Sequence, residues 1–269
     1  MGVSKLRARG ASLERDGTVL CCDVHVEFEA GQLVAIVGPN GAGKSSLLAL
    51  LAGDLEPADG SVDLDGASLG SVEPLELARR RAVLSQSNSV AFPFSVAEVV
   101  TMGRFPWSAQ SSAATDQRIV AESMAATDVS HLARRRITTL SGGEAARVAL
   151  ARVLAQDTSI VLLDEPTASL DIKHQEMVFD LLRAKAKDGA LVIIVVHDLE
   201  AAAAIADRLI VMNDGRVVAD GRPDQILSSE LLSDVYDYPL TVKADPVSGS
   251  LEIRPRRNPP TGPKAEVSP

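Results

Sequence analysis

Three short, uninterrupted apolar runs punctuate the chain: Leu33–Val37, Ile160–Leu163 and Leu191–Val196. Runs of this length without alternation predict parallel strands covered on both faces. Ala82-Val83-Leu84-Ser85 reads as a further short strand. Residues 3 to 30 alternate loosely instead, which predicts two short strands joined by a turn at Asp16-Gly17. Between Asp54 and Leu69, the turn residues Pro57, Asp59-Gly60 and Asp65-Gly66 separate short strands. Arg208–Met212, Asn213-Asp214-Gly215 and Arg216–Ala219 together form a β-hairpin pattern.

Helical patterns fill other stretches. Ser46–Ala52 reads as a helix stopped by Gly53, and helical periodicity runs from about Gln86 to Arg136. Ser95-Val96-Ala97-Glu98 is a capping box, opening a helix through Val99, Val100 and Met102. Ser141-Gly142-Gly143-Glu144 repeats that pattern ahead of a stretch of helix formers ending at Ala155. Phe92-Pro93-Phe94 and Phe105-Pro106-Trp107 bracket the first of these helices. They read either as an exposed contact surface or as packing within the helical part. Beyond Pro255 the tail holds four further prolines without periodicity and is expected to be disordered.

Composition narrows the options. At 269 residues the chain can bury one large α/β core, with or without a small appended subdomain. Aromatics make up only 3%, so that core must be built from Ala, Val, Leu and Ile. A net charge of −9 leaves no basic excess to neutralise phosphates, which disfavours nucleic acid as a partner. Cys21 and Cys22 are adjacent, an unlikely staple, and fit a reducing, cytosolic setting. No signal peptide, myristoylation signal or membrane span is visible, so any membrane role is expected to come through a partner.

Gly38-Pro39-Asn40-Gly41-Ala42-Gly43-Lys44-Ser45 fits the phosphate-loop pattern, placed between a predicted strand and a predicted helix. Its glycines let backbone N–H groups turn inward as an anion nest, with a helix start behind them. Lys44 can put a compact positive charge on the outer phosphates, and the Ser45 hydroxyl can complete a Mg²⁺ shell. This implies a nucleoside triphosphate ligand. Asp164-Glu165 ends a buried run, where paired carboxylates are expensive unless a cation or a reaction uses them. Asp164 suits Mg²⁺ through water, and Glu165 is placed to polarise an attacking water. His197 follows another buried run and can hydrogen-bond the γ-phosphate or that water. Gln86 closes the Ala82–Ser85 strand and could sense both metal and water. Leu140-Ser141-Gly142-Gly143-Glu144 is a second anion-binding helix start, needed for one nucleotide only if two subunits clamp it.

In this order the motifs resemble the ATP-binding cassette (ABC) ATPases over roughly residues 3 to 240. The phosphate loop (with Ser46), Gln86, the Leu140–Glu144 signature, Ile160–Glu165 as Walker B, Ser169-Leu170-Asp171 as D-loop and the switch His197 all match. The resemblance implies an α/β P-loop NTPase fold. Its parts would be a RecA-like core, an N-terminal antiparallel β subdomain and a helical subdomain inserted at about 87–145. Residues 241–254 would be a short C-terminal extension and 255–269 a disordered tail. It also implies Mg²⁺-dependent ATP hydrolysis by a head-to-tail homodimer, in which each signature and D-loop Asp171 complete the other subunit's site. Two membrane permease subunits and, indirectly, a substrate-binding protein would be partners, at the cytoplasmic face of the inner membrane.

Arg80–Gln86, Ala91–Val100 and Gly103–Pro106 look like the heme-import ATPases, within a group that also serves siderophore-iron and cobalamin importers. Four positions depart from the family pattern. Ala145-Ala146 replace the usual glutamines after the signature, Ser46 replaces threonine, and Leu13 stands where many relatives stack an aromatic ring on adenine. Base recognition is therefore expected to be loose between ATP and GTP. Soluble ABC proteins acting on DNA or translation usually carry long insertions or a second cassette, and this chain has neither. A scaffold that holds ATP without turnover would not need Glu165 and His197.

Overall fold

The computed structural model describes residues 5–85 and 93–257. Gln86, Phe92 and the proline-rich tail beyond 257 lie outside the described residues. Strands β1 (Lys5–Arg15) and β2 (Thr18–Glu29) pair antiparallel around the Asp16-Gly17 turn. They are longer than the alternation suggested, because register shifts between Ala8, Ala11 and Leu13 reset its phase. A bulge moves every later side chain to the opposite face, so period-two counting undercounts such a strand. Strand β4 (Asp59–Leu64) pairs with β1 and is followed by the short β5 (Ala67–Ser68), completing a four-stranded sheet.

The six-stranded sheet runs β10-β9-β3-β8-β7-β6. Its strands are β3 (Leu33–Val37), β6 (Arg81–Leu84), β7 (Ile160–Asp164), β8 (Leu191–Val195), β9 (Arg208–Asn213) and β10 (Arg216–Gly221). All but β10 are parallel, and β10 folds back on β9 through the expected turn. Every residue of β3, β7 and β8 is buried, as the unbroken apolar runs required.

One face of this sheet packs on helix α1 (Lys44–Ala52) and the antiparallel sheet, through Ile36, Leu162 and Ile193 against Leu47, Leu50 and Phe28. Leu13 lies in this same core, so it offers no face to an adenine ring. The other face packs on helices α5 (Gly142–Ala155), α6 (Ile172–Lys187), α7 (Leu199–Ile205) and α9 (Ser229–Val235). Two short helices, α2 (Pro74–Arg80) and α8 (Pro223–Ile226), sit in connections.

A third core joins α3 (Val96–Thr101), α4 (Ala113–Ala126) and α5 through Val99, Val100, Val120, Met124 and Val148. Helix α5 therefore faces two cores, Leu150 and Leu154 toward the sheet, Val148 and Ala151 toward the helices. Both capping boxes form, at Ser95/Glu98 and at Ser141/Glu144. After α3 the chain tightens into a 3₁₀ turn over Met102–Trp107. There Gly103 packs so close to α5 that a Cβ would stand 2.2 Å from the Arg152 carbonyl. Of the expected apolar patch, Phe105 is exposed but Pro106 is buried. Trp107 donates through Nε1 to the Gln156 carbonyl at 2.6 Å, so half the motif is packing. A C-terminal hairpin, β11 (Leu240–Ala244) and β12 (Leu251–Pro255), closes the described chain and was not foreseen from sequence.

Candidate active site

The phosphate loop leaves the end of β3 at Gly38, whose φ of 149° and packing both demand glycine, since a Cβ would stand 2.2 Å from the Met212 carbonyl. Gly43 is held in the same way, at φ 94° with the Leu20 carbonyl 2.2 Å from a would-be Cβ. The Ala42 carbonyl accepts from Gly215 N–H at 3.1 Å, so the β9–β10 turn braces the loop from outside. Lys44 is buried and donates to the carbonyls of Gly38 and Pro39, each at 2.8 Å. Burial lowers its pKa, and the nearby carboxylates of Glu165 and Asp164 oppose that shift. Gly41 and Asn40 are exposed, and Ser45 opens α1 beside Asp164.

Three strand ends bring the other predicted residues to this loop. Val195 pairs with both Ile36 and Asp164, so β3, β8 and β7 end level with one another. Asp164 is buried, and its Oδ1 has no hydrogen-bond partner among the described residues. Burial raises its pKa and Glu165 adds to that; the Ser45 hydroxyl bond, Lys44 and His197 pull the other way. Glu165 adopts a left-handed φ of 50° while its N–H donates to the Val195 carbonyl at 3.1 Å. That turn aims its carboxylate at His197, whose Nε2 lies 2.5 Å from Oε1. A cavity of about 250 Å³ lies beside the pair, lined by Glu165, Thr167, Gln175, His197 and Asp198 among others. Gln86 belongs to the described set neither by side chain nor by backbone, so its predicted place beside the metal falls outside these residues.

Ser141, Gly142, Gly143 and Glu144 make a second cluster. The Ser141 hydroxyl accepts from Glu144 N–H at 3.3 Å, and Glu144 Oε2 accepts from Ser141 N–H at 2.8 Å. The Ser141 N–H and the Ser141 hydroxyl, both hydrogen-bonded to the carboxylate, hold the Glu144 carboxyl below its usual range, helped by Arg135 at 3.0 Å. Gly143 abuts the D-loop, with the Ser169 carbonyl 3.0 Å from a would-be Cβ. Asp171 caps α6, accepting from His174 N–H at 2.9 Å, and this bond with that from the His174 ring holds its carboxyl low. Sequence reasoning missed Tyr236, at the end of α9. Its half-buried hydroxyl, pushed up to about 12 by burial, is hydrogen-bonded to the Gly38 backbone. No local pattern marks a tyrosine as reaching a loop so far away in sequence.

The sequence profile described as ABC transporter matches residues 21–168. A hemin import ATP-binding protein, HmuV, from Nocardia farcinica is 54% identical over 262 residues, covering 96% of this chain and 91% of its own. This chain belongs to the ABC transporter family. It is an ABC ATPase of transport, and its cassette binds ATP. Among solved ABC structures, a metal-chelate type transporter in an inward-facing conformation is similar at a TM-score of 0.78 and 26% identity. It covers 94% of this chain and 97% of its own. The dimeric bacterial ABC cassette MJ0796 is similar at 0.73 and 26%, covering 81% of this chain and 98% of its own. The mixed α/β ABC-ATPase fold expected from the motifs is the fold observed. Among the described residues no helix is long and apolar enough to cross a membrane.

Proposed function

We propose that this chain is the energy-coupling subunit of an importer whose cargo is heme. The supporting observation is the end-to-end 54% identity with a hemin import ATP-binding protein, on a scaffold whose chemistry-bearing side chains converge at three strand ends. On this reading the cassette spans residues 3–240, with the helical segment near 87–145 as an inserted subdomain that engages the permease. The exposed Phe105 and Met102 beside a cavity of about 480 Å³ suit such an apolar contact.

The backbone N–H groups of the Gly38–Ser46 loop other than Pro39 cradle the phosphates, and Lys44 exchanges its two carbonyl partners for phosphate oxygens. The unpartnered Asp164 Oδ1 and the Ser45 hydroxyl are hard oxygen donors that fit Mg²⁺, with Gln86 as a further candidate. When bound, the ion would neutralise charge on the β- and γ-oxygens. Glu165, oriented by His197, accepts a proton from the attacking water, and His197 donates toward the γ-phosphate. Ser141, Gly142, Gly143 and Glu144, with Asp171, of one copy close the nucleotide held by the other. ATP thus favours the closed homodimer because it binds that state best. Hydrolysis removes the bridge. Two permease subunits would turn this cycle into transport, holding the ATPase peripherally at the cytoplasmic face of the membrane.

The test is to purify the native complex through this subunit, identify its permease and reconstitute it in vesicles. ATP-dependent uptake of heme supports the assignment. Uptake of only ferric siderophores or cobalamin would overturn the cargo while leaving the ATPase intact.

A further inference from the structure

We propose that His174 is a positioning residue: it clasps the D-loop to the turn at Asp128, so that the edge carrying Ser141–Gly143 moves as one piece. The imidazole Nδ1 lies 2.7 Å from Asp171 Oδ1, and Nε2 lies 3.6 Å from Asp128 Oδ2. The ring is 17% exposed between carboxylates that are 68% and 52% exposed. Capping alone does not require this arrangement. Asp171 already caps α6 through the His174 backbone N–H, and the second nitrogen faces a different part of the fold.

Three further contacts close the ring. Asp128, two residues past the end of α4, adopts a left-handed conformation, φ 53°, and the next residue, Val129, is buried in the helical core with Val148 of α5. The start of α5 meets the D-loop at Gly143, where a Cβ would lie 3.0 Å from the Ser169 carbonyl and 3.7 Å from Leu170 Cδ2. Ser169 and Leu170 lead directly into Asp171, and the imidazole returns the path to Asp128. Arg147 on α5 is buried inside this circuit, acting electrostatically on both Asp171 and Glu144. Removing the imidazole opens the circuit at its polar link and leaves the apolar ones in place. The D-loop and the signature would then lose their fixed relation. Its functional weight rests on the proposal that this edge closes the partner's nucleotide site.

The test uses the full chain and the variants His174→Ala and His174→Asn, read by steady-state ATP hydrolysis and by amide hydrogen exchange without nucleotide. In His174→Ala, kcat should fall about fivefold to tenfold, the size expected for losing one ordinary hydrogen bond, since the Asp128 contact is a longer ion pair. KM for ATP should change less than about twofold, because the phosphate loop is untouched. His174→Asn, whose amide reaches Asp171 but not Asp128, should recover only part of the loss. Exchange should quicken together at residues 168–171 and 128–130 in His174→Ala. Wild-type exchange at both segments, or quickening at one alone, would overturn the clasp. A wild-type chain that never hydrolyses ATP would count against the proposed function, and the exchange result would still decide the clasp.

Discussion

Glu165 Oε1 and His197 Nε2 stand 2.5 Å apart, joined across the ends of two neighbouring parallel strands. The left-handed turn at Glu165 swings its carboxylate sideways, and the Val195 carbonyl pins that turn. Glu165→Gln keeps a side chain of the same shape but cannot take a proton. Its kcat should fall by about a hundredfold or more, as for loss of a general base. ATP should still bind, and size-exclusion chromatography with ATP should show a dimer. A variant that runs as a monomer under saturating ATP would refute the closed-dimer reading.

Lys44→Ala separates nucleotide affinity from folding. The ammonium holds two loop carbonyls in this structure, and the cost of burying its charge offsets part of what those bonds contribute. The melting temperature should therefore move little. The Kd for ATP should rise at least about tenfold, since a charge-assisted phosphate contact is lost. Isothermal titration giving an unchanged Kd would show that Lys44 does not reach the phosphates.

Much of this arrangement is written in short segments, where one local rule decides. The runs Leu33–Val37 and Leu191–Val195 are unbroken and too short for helices, which marks doubly covered strands, and Gly38 and Gly43 belong to the phosphate-loop pattern. What was illegible is the set of contacts between distant segments. Bulges near Gly10 hid the length of β1, and burial of Leu13 removed it from the base-binding surface. The C-terminal hairpin was legible in principle, since Leu240-Thr241-Val242-Lys243 and Leu251-Glu252-Ile253-Arg254 alternate apolar and polar around the turn residues 245–250, but each run is short and only half-buried. His174 sits in an ordinary helical first turn, and only the fold reveals Asp128 on its other side.

Two glycines of the phosphate loop should respond differently to the same change. Both Gly41 and Gly43 have positive φ, 81° and 94°, but only Gly43 faces backbone, whereas Gly41 has open space. Gly41→Ala should cost about 1–2 kcal/mol from the left-handed conformation alone. Gly43→Ala adds a clash with the Leu20 carbonyl that can be relieved only by moving β2 or the loop, so its loss should be clearly larger. Urea denaturation of both variants measures the difference. Equal losses would mean that β2 yields freely and does not brace the loop.

Asp164 contributes a pH dependence to the nucleotide-free protein that runs opposite to that of the lowered Glu144 and Asp171 carboxyls. Burial raises its pKa, so the folded chain keeps a proton that the unfolded chain releases at lower pH. Stability from this group is complete below the usual aspartate range and is lost as pH rises through the raised value. Once ionised above that value, Asp164 is a buried carboxylate with an unpartnered Oδ1, a liability of about 1–3 kcal/mol. Asp164→Asn should melt higher than wild type at pH 7 in EDTA, and the gap should close toward acid pH. With Mg²⁺ and ATP the order should reverse, because the cation that the carboxylate serves would stabilise only the wild type. Differential scanning calorimetry under both conditions tests the point. A variant that melts lower than wild type in EDTA would show that the ionised carboxylate is already satisfied by Ser45 and Lys44, leaving no site for a metal to complete.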